Sequence, residues 1–126
     1  MPNRRTLAKA GAALAVLMTS AAVQVAAASP AGAAGTCNVT DALCMWDQTD
    51  FGGATLNVSP LPPNPSACVN LAEHGWGNRV RSAINTSSKT ASLFESTNCT
   101  GRPYPIEGNS AKSSITFGAN SVWVQR

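Results

Sequence analysis

The chain has 126 residues and a formal net charge of +3, and only 12% of its residues are charged. The positive excess comes from Arg4, Arg5 and Lys9, so the rest of the chain holds six basic and six acidic residues. Nucleic-acid binding requires clustered Lys and Arg, so a near-neutral chain with scattered cations argues against it. The remaining length leaves room for one small domain.

The first 34 residues have the three parts of a secretory signal peptide. The basic start precedes an uncharged run rich in Ala, Val and Leu at residues 10–28, and small-residue cleavage patterns follow at 26–28 and 31–33. We therefore expect cleavage between residues 28 and 35, an extracellular location and no membrane association afterwards. The alternative is a membrane anchor, but the apolar run is marginal in length and ends in cleavage signals.

The cysteines all follow the predicted signal peptide, and they are Cys37, Cys44, Cys68 and Cys99. An even number of cysteines in a short exported chain indicates two disulfides. A zinc site is the alternative, but the close paired spacing of zinc ligands is missing and His74 is the only histidine. Three pairings are possible. We favour Cys37 with Cys44, which closes a short loop, and Cys68 with Cys99, which ties the two halves together.

Short alternating runs, broken by Gly, Pro, Asn and Ser, predict strands within residues 43–46, 55–58, 80–84, 92–95, 115–117 and 122–124. One helical turn is predicted within residues 70–74. The proline-rich segment 60–65 is predicted to be a stiff surface loop, because proline has no amide donor for a central strand. Many short strands with frequent turns predict an all-β antiparallel sandwich or barrel.

An internal repeat aligns residues 45–53 with residues 93–101. In each copy an aromatic residue is followed by an acid, a Thr and an Asp or Asn, and the segment ends at a glycine. This spacing predicts a β-hairpin folded over its sheet, with packed aromatic rings and a glycine at positive φ. Cys99 replaces the second aromatic in the second copy, so a disulfide is expected to replace part of the stacking. The motif residues are Trp46, Phe51, Gly53, Phe94 and Gly101.

Segments 44–47, 50–53, 68–71, 75–78 leading into Ser82, and 98–101 together resemble the βγ-crystallin fold. In particular, the chain looks like the small bacterial secreted proteins grouped with the Streptomyces-type metalloproteinase inhibitor. The resemblance implies one domain at residues 35–126, built as a Greek-key sandwich of two four-stranded sheets. Its first motif is expected at about 37–87 and its second at about 88–126.

The sequence gives little support for calcium binding or catalysis. In segment 77–82 a glycine replaces the first polar ligand of a crystallin calcium motif and Arg81 replaces a hydroxyl, while segment 109–114 lacks a carboxylate. No Ser-His-acid set can be assembled around His74, and Asp47 and Glu95 occupy matching repeat positions, which indicates a structural role. We therefore expect a non-enzymatic protein with no catalytic residues, no metal and no cofactor.

The resemblance implies inhibition of an extracellular peptidase, with a metalloprotease as the expected class and a monomer as the expected state. Inhibition requires a rigid scaffold that holds an exposed loop in one conformation. Loops 59–66 and 100–109 meet this requirement. The alternative function is a non-catalytic structural or binding module for the cell wall or another protein. The candidate inhibitory residues are Leu61, Pro62, Pro63, Asn64, Arg102, Pro103, Tyr104 and Pro105.

Overall fold

Residues 35–126 are described by a computed structural model, and the predicted signal peptide lies outside the described residues. Two 3-10 turns connect strands, at Thr49–Phe51 and Ala72–His74. Within this part of the chain there is no apolar helix of membrane-spanning length. Eight strands follow in chain order: β1 Leu43–Gln48, β2 Gly52–Val58, β3 Ser66–Asn70, β4 Ser82–Asn85, β5 Ala91–Phe94, β6 Tyr104–Ile106, β7 Ser110–Lys112 and β8 Ser121–Gln125.

The strands form two antiparallel four-stranded sheets. The first sheet has the order β2-β1-β4-β7 and the second has the order β3-β8-β5-β6. Strand β3 therefore leaves the first four strands for the second sheet, and β7 leaves the last four for the first sheet. Each half of the chain therefore contributes its third strand to the sheet of the other half. Neither four-stranded sheet is complete without both halves. The predicted all-β Greek-key sandwich is confirmed.

Alternating apolar side chains from both sheets build the core between them. Leu43 and Met45 on β1 are fully buried, as are Leu93 on β5 and Ile106 on β6. Burial of a side chain of this size contributes about 1.5–3 kcal/mol relative to leaving it exposed. The core is continuous from one sheet to the other, so it stabilises the two halves together.

The strand predictions differ from the structure in the second half of the chain. No strand forms at 115–117, so that prediction is wrong: Ile115 is buried, but its N–H bonds the Arg81 carbonyl (2.7 Å) outside any ladder. Strands β3, β6 and β7 were not predicted. The first two lie beside prolines and the third is short and polar, so none shows a clear apolar alternation.

The first hairpin of the repeat folds back over the first sheet. Its Trp46 and Phe51 rings meet edge to face with centroids 5.4 Å apart, and Gly53 has a φ of 84°. The buried Ser82 of β4 secures the fold, because its Oγ accepts the Phe51 N–H (2.9 Å) and donates to the Gln48 carbonyl (2.7 Å). Trp46 is consequently only 2% exposed, although it points away from the core.

The second hairpin repeats this geometry with different chemistry. Gly101 has a φ of 101°, and Cys99 has a φ of 58°, close to the 62° of Phe51 at the matching position. The N–H of Cys99 donates to Oγ of the buried Ser121 on β8 (2.8 Å), as Phe51 does to a serine in the first half. A disulfide from Cys99 to Cys68 on β3 stands where the first hairpin has its second aromatic ring.

Candidate functional site

The proline-rich segment between β2 and β3 is an exposed loop. Leu61 is 74% exposed, the highest value among the exposed large hydrophobic residues of the described chain. The residues after it, Pro62, Pro63 and Asn64, are also exposed, whereas Pro60 before it is buried. The loop thus presents one large apolar side chain next to an anchored residue.

Backbone hydrogen bonds hold this loop at its turn and at its far end. The Asn64 N–H donates to the Leu61 carbonyl (2.9 Å), which closes the turn. The N–H of Arg126, at the end of the chain, donates to the Pro65 carbonyl (2.9 Å). Proline rings fix φ at four positions of the segment, so the backbone around Leu61 has little freedom.

Residues 40 and 41, near the start of the described chain, lie beside the same loop. A shallow depression of about 180 Å³ is lined by Thr40 and Asp41 on one side and by Pro60, Pro62 and Arg126 on the other. Thr40 and Asp41 lie between Cys37 and Cys44, which form a disulfide. The two disulfides are the pairings favoured from the sequence, and the first one constrains the segment beside the loop.

An apolar groove of about 390 Å³ runs beside Leu61. Its walls include Leu56 and Val58 from β2, Val69 from β3, and His74 from the 3-10 turn. Leu56, Val58 and Val69 are partly buried against the core. A protein surface that contacts Leu61 therefore meets further apolar side chains, which extend the candidate site beyond the loop.

The second candidate segment is only partly a loop. Arg102 and Pro103 are exposed between hairpin and strand, but Tyr104 and Pro105 belong to the edge strand β6. The Tyr104 ring packs against Phe117 with centroids 5.3 Å apart. Pro105 is exposed on β6, opposite Ser92 of β5. This segment is therefore held mainly as part of the second sheet.

The ion pair between Arg79 and Asp47, near the C-terminal end of β1, has a structural role. The Arg79 guanidinium bonds the Asp47 carboxylate (2.9 Å) and the Gly75 carbonyl (2.8 Å), and lies 4.5 Å from the centre of the Trp76 ring. The Ala54 N–H also donates to Asp47 (2.9 Å). The hydrogen bond from Arg79, followed by that from Ala54, holds the pKa of Asp47 below its usual value.

Acid is expected to weaken the folded state through Asp47. A carboxyl whose pKa is lower in the folded chain stabilises it above the unfolded-state pKa, and this contribution is lost as pH falls below about 4. Urea denaturation at pH 7 and pH 3 measures the effect. We expect the midpoint of the wild type to fall further between these pH values than that of Asp47→Asn. Equal falls in both proteins would contradict this role for Asp47.

The acids and the histidine of the described residues do not come together as a metal-binding cluster. No group of three or more His, Cys, Asp and Glu side chains within residues 35–126 could hold a metal ion. In segment 77–82 the Arg79 guanidinium pairs with Asp47. In segment 109–114 the Ser110 hydroxyl donates to the Glu107 carbonyl (2.6 Å). These polar groups serve the fold itself.

Solved structures place the fold in the βγ-crystallin class. A protein solved in work on the evolution of the eye lens βγ-crystallin domain fold superposes with a TM-score of 0.59 and 13% identity, covering 73% of this chain and 93% of that one. A βγ-crystallin from Ciona intestinalis gives 0.51 and 22%, covering 68% and 99%. A mutant βγ-crystallin domain from Clostridium beijerinckii gives 0.52 and 16%, covering 67% and 97%. These identities show the shared fold.

The chain belongs to peptidase inhibitor family I36, whose model matches residues 30–105, more than half of the sequence. The match includes the proline loop, the groove beside it and the Arg102–Pro105 segment. No curated protein matches the chain. Family membership supports a peptidase-inhibitor function in general and a peptidase as the kind of partner.

The sequence pointed to the exposed residues of the loop, but not to what holds them. Pro60 is buried and lines a depression together with Thr40 and Asp41, and the Arg126 N–H bonds the Pro65 carbonyl. Both are long-range contacts without a local signal. The position of Leu61 between two prolines is visible in the sequence, and it is the feature that marks this loop.

Proposed function

We propose that the chain is a secreted peptidase inhibitor and that loop 59–65 presents Leu61 to the active-site cleft of an extracellular metalloprotease. The observation that carries this proposal is the 74% exposed leucine on a backbone constrained before and after it. An inhibitor needs this combination, because a side chain must reach the specificity pocket while the backbone stays in one conformation.

The energetics of the loop favour tight docking. Burial of a leucine side chain in an apolar pocket contributes about 1.5–3 kcal/mol. The loop backbone loses little conformational entropy on binding, since its prolines and its turn already restrict it. The groove formed with Leu56, Val58 and Val69 adds apolar contact area next to Leu61.

The same loop is a poor substrate. A peptidase that places Leu61 before the scissile bond meets the Leu61–Pro62 linkage, whose nitrogen carries no hydrogen. A peptidase that places Leu61 after the scissile bond must attack the bond to Pro60, which is buried against the scaffold. In both registers the residue next to Leu61 hinders the approach of the catalytic groups.

The Arg102–Pro105 segment is the competing inhibitory surface. Its exposed Arg102 suits a peptidase with an acidic pocket, whereas Leu61 suits one with an apolar pocket. We favour Leu61 because Tyr104 is packed on Phe117 and is held in β6. The two surfaces therefore predict different target preferences.

An inhibition assay against peptidases of different specificity tests the proposal. The purified protein is titrated against a thermolysin-type metallopeptidase, a serine peptidase with an apolar pocket, and trypsin, whose pocket is acidic. We expect stoichiometric inhibition of the metallopeptidase with an inhibition constant below about 1 µM. Inhibition of trypsin alone would shift the site to Arg102. No inhibition of any peptidase at about 100-fold higher concentration would overturn the proposal.

We infer that residues 1–34 direct export and are removed, leaving residues 35–126 as a monomeric extracellular domain. Two disulfides are consistent with an oxidising compartment. The measurement is N-terminal sequencing of the protein recovered from culture medium. We expect the mature chain to begin between residues 29 and 35, and a cell-bound protein that retains Met1 would contradict this inference.

A further inference from the structure

The outer face of the second sheet carries an exposed tryptophan on a central strand. On β8, Val122 and Val124 face the core and are at most 2% exposed, whereas Trp123 between them is 36% exposed. The alternation fixes the direction of the side chain, because neighbouring residues of a strand point to opposite faces. The other two tryptophans, Trp46 and Trp76, are buried.

Strand register places Trp123 at the centre of a row that crosses this sheet. Trp123 lies opposite Cys68 of β3 on one side and Ser92 of β5 on the other, and Ser92 lies opposite Pro105 of β6. Four strands about 4.8 Å apart make the row about 14 Å long. The half-buried Phe94 belongs to the same face, diagonal to Trp123 at about 7–8 Å.

The strands that build this face carry no charged side chain, but the face is not purely apolar. The four strands of the second sheet contain no Asp, Glu, Lys or Arg, and Trp123 is flanked by groups that form neutral hydrogen bonds. These groups are the hydroxyl of Ser92, the hydroxyl of Ser66 and the amide of Gln125, which lies opposite Ser66 and whose Nε2 donates to the Thr90 carbonyl (2.9 Å). The face therefore offers an aromatic ring and neutral donors and acceptors together.

The first sheet does not offer such a surface. Its outward-facing Trp46 is covered by Phe51 of the folded hairpin and is 2% exposed. In the second hairpin Phe94 matches Trp46, and Cys99 replaces Phe51 and pairs with Cys68, so the hairpin after Phe94 contains no aromatic ring. Trp123 lies on the neighbouring strand β8 of this sheet and is exposed.

We propose that the outer face of the second sheet binds a neutral polysaccharide, with Trp123 as the stacking platform. The C–H face of a sugar ring packs on the electron-rich face of an indole, and its hydroxyl groups hydrogen-bond to neutral side chains such as Ser92 and Ser66. A row about 14 Å long accommodates more than one sugar ring of an extended chain. An anionic or cationic ligand finds no charge partner on these strands.

The site does not include Leu61 or its turn, and it meets the proline loop only at Ser66, where β3 begins. Leu61 and its turn lie between β2 and β3, whereas the row is built from β3, β8, β5 and β6. The polysaccharide is therefore bound independently of the peptidase. Binding would hold the protein at a glycan-containing surface outside the cell.

Glycan binding is tested with the full mature chain and with variants of both sites. Retention on insoluble chitin, cellulose and β-1,3-glucan is measured, together with intrinsic fluorescence during titration with soluble hexasaccharides of the same three glycans. Trp123 is the tryptophan that solvent reaches, so a blue shift and protection from acrylamide quenching report contact with it. We expect the wild type to bind at least one of these glycans.

The variants separate stacking from a general effect on the fold. Trp123→Ala is expected to weaken binding at least tenfold, Trp123→Phe to retain part of it, and Leu61→Ala to bind as the wild type does. If Trp123→Ala does not fold by circular dichroism, the comparison of Trp123→Phe with the wild type decides. No binding to any of the three glycans, or binding unchanged by loss of the indole, overturns the proposal. An extracellular protein captured through Trp123 in place of these glycans also overturns it.

Discussion

Replacement of both Cys68 and Cys99 by alanine is expected to lower the free energy of unfolding by about 3.7 kcal/mol. The two cysteines are separated by 31 positions, and the chain-entropy model assigns a loss of this size to a loop of that length. Small domains have a net stability of about 5–15 kcal/mol, so the loss removes a large part of it. The variant should unfold at a much lower urea concentration than the wild type.

The loss of stability in this variant can be assigned to the missing cross-link, because the disulfide lies outside the core. Cys68 is exposed and Cys99 is half-buried, so alanine at both positions removes the link with little loss of core packing. The link joins β3 of the first half to the hairpin of the second half, in the sheet where both take part. That hairpin has no ring pair equivalent to Trp46 and Phe51, so the disulfide is its main tie across the sheet.

The control is the other disulfide, replaced in the same way at Cys37 and Cys44. The separation of only seven positions predicts a smaller entropic loss of about 2.5 kcal/mol, to which the packing of the buried Cys44 is added. Urea denaturation of the two variants and the wild type measures both losses. An unchanged midpoint for the Cys68 and Cys99 variant would show that the long link does not stabilise the fold.

Truncation of Leu61 to alanine is expected to weaken peptidase inhibition by about 10- to 100-fold. The estimate follows from the burial of a leucine side chain, about 1.5–3 kcal/mol, and from the factor of ten in affinity for each 1.4 kcal/mol. The side chain is 74% exposed, so its removal should leave the stability of the free protein almost unchanged. The measurement is the inhibition constant against the metallopeptidase that the wild type inhibits.

Two further variants locate the inhibitory surface. Arg102→Ala changes the competing segment and should leave the inhibition constant unchanged. Leu61→Asp introduces a charge that an apolar pocket must desolvate, so it should weaken inhibition more than Leu61→Ala does. Equal inhibition by Leu61→Ala and the wild type, with a loss in Arg102→Ala, would assign inhibition to the second segment.

The repeat allowed the hairpins to be predicted because their signals are local. Trp46, Phe51 and Gly53 lie within eight residues of one another, and their spacing follows from how the hairpin folds over its sheet. The serines that secure the two hairpins come from distant strands, at Ser82 and Ser121. Ser82 lay within the strand predicted at 80–84 and within the resemblance, but its bond to the hairpin was not predicted, and no signal pointed to Ser121.

The resemblance implied two four-stranded sheets, but the exchange of strands between them was not predicted. Strands β3 and β7 are short and partly exposed on both faces, so their sequences lack the apolar runs that mark β1 and β8. At 115–117 the apolar residues Ile115 and Phe117 gave a strand pattern, but they pack on the core from an irregular segment. At this segment the alternation in the sequence predicted the burial of the apolar side chains correctly but predicted a strand that does not form.

At the candidate inhibitory loop, too, the sequence predicted the features that depend on neighbouring residues and missed those that depend on distant ones. The stiffness of the loop follows from its prolines, so the sequence was sufficient to identify it. Its apolar groove combines β2, β3 and His74, which only the folded chain brings together. Trp123 was known as an aromatic residue, but its exposure depends on the register of β8 between β3 and β5.

Hydrogen exchange of the inhibitor, free and bound to its peptidase, tests the central claim most directly. If the proline loop enters the active-site cleft, protection on binding is concentrated at the loop amides of Leu61 and Asn64 and along the exposed edge of β2 beside the groove. Protection at Arg102 and Tyr104, with the proline loop unchanged, would contradict that claim and place the inhibitory surface on the second sheet.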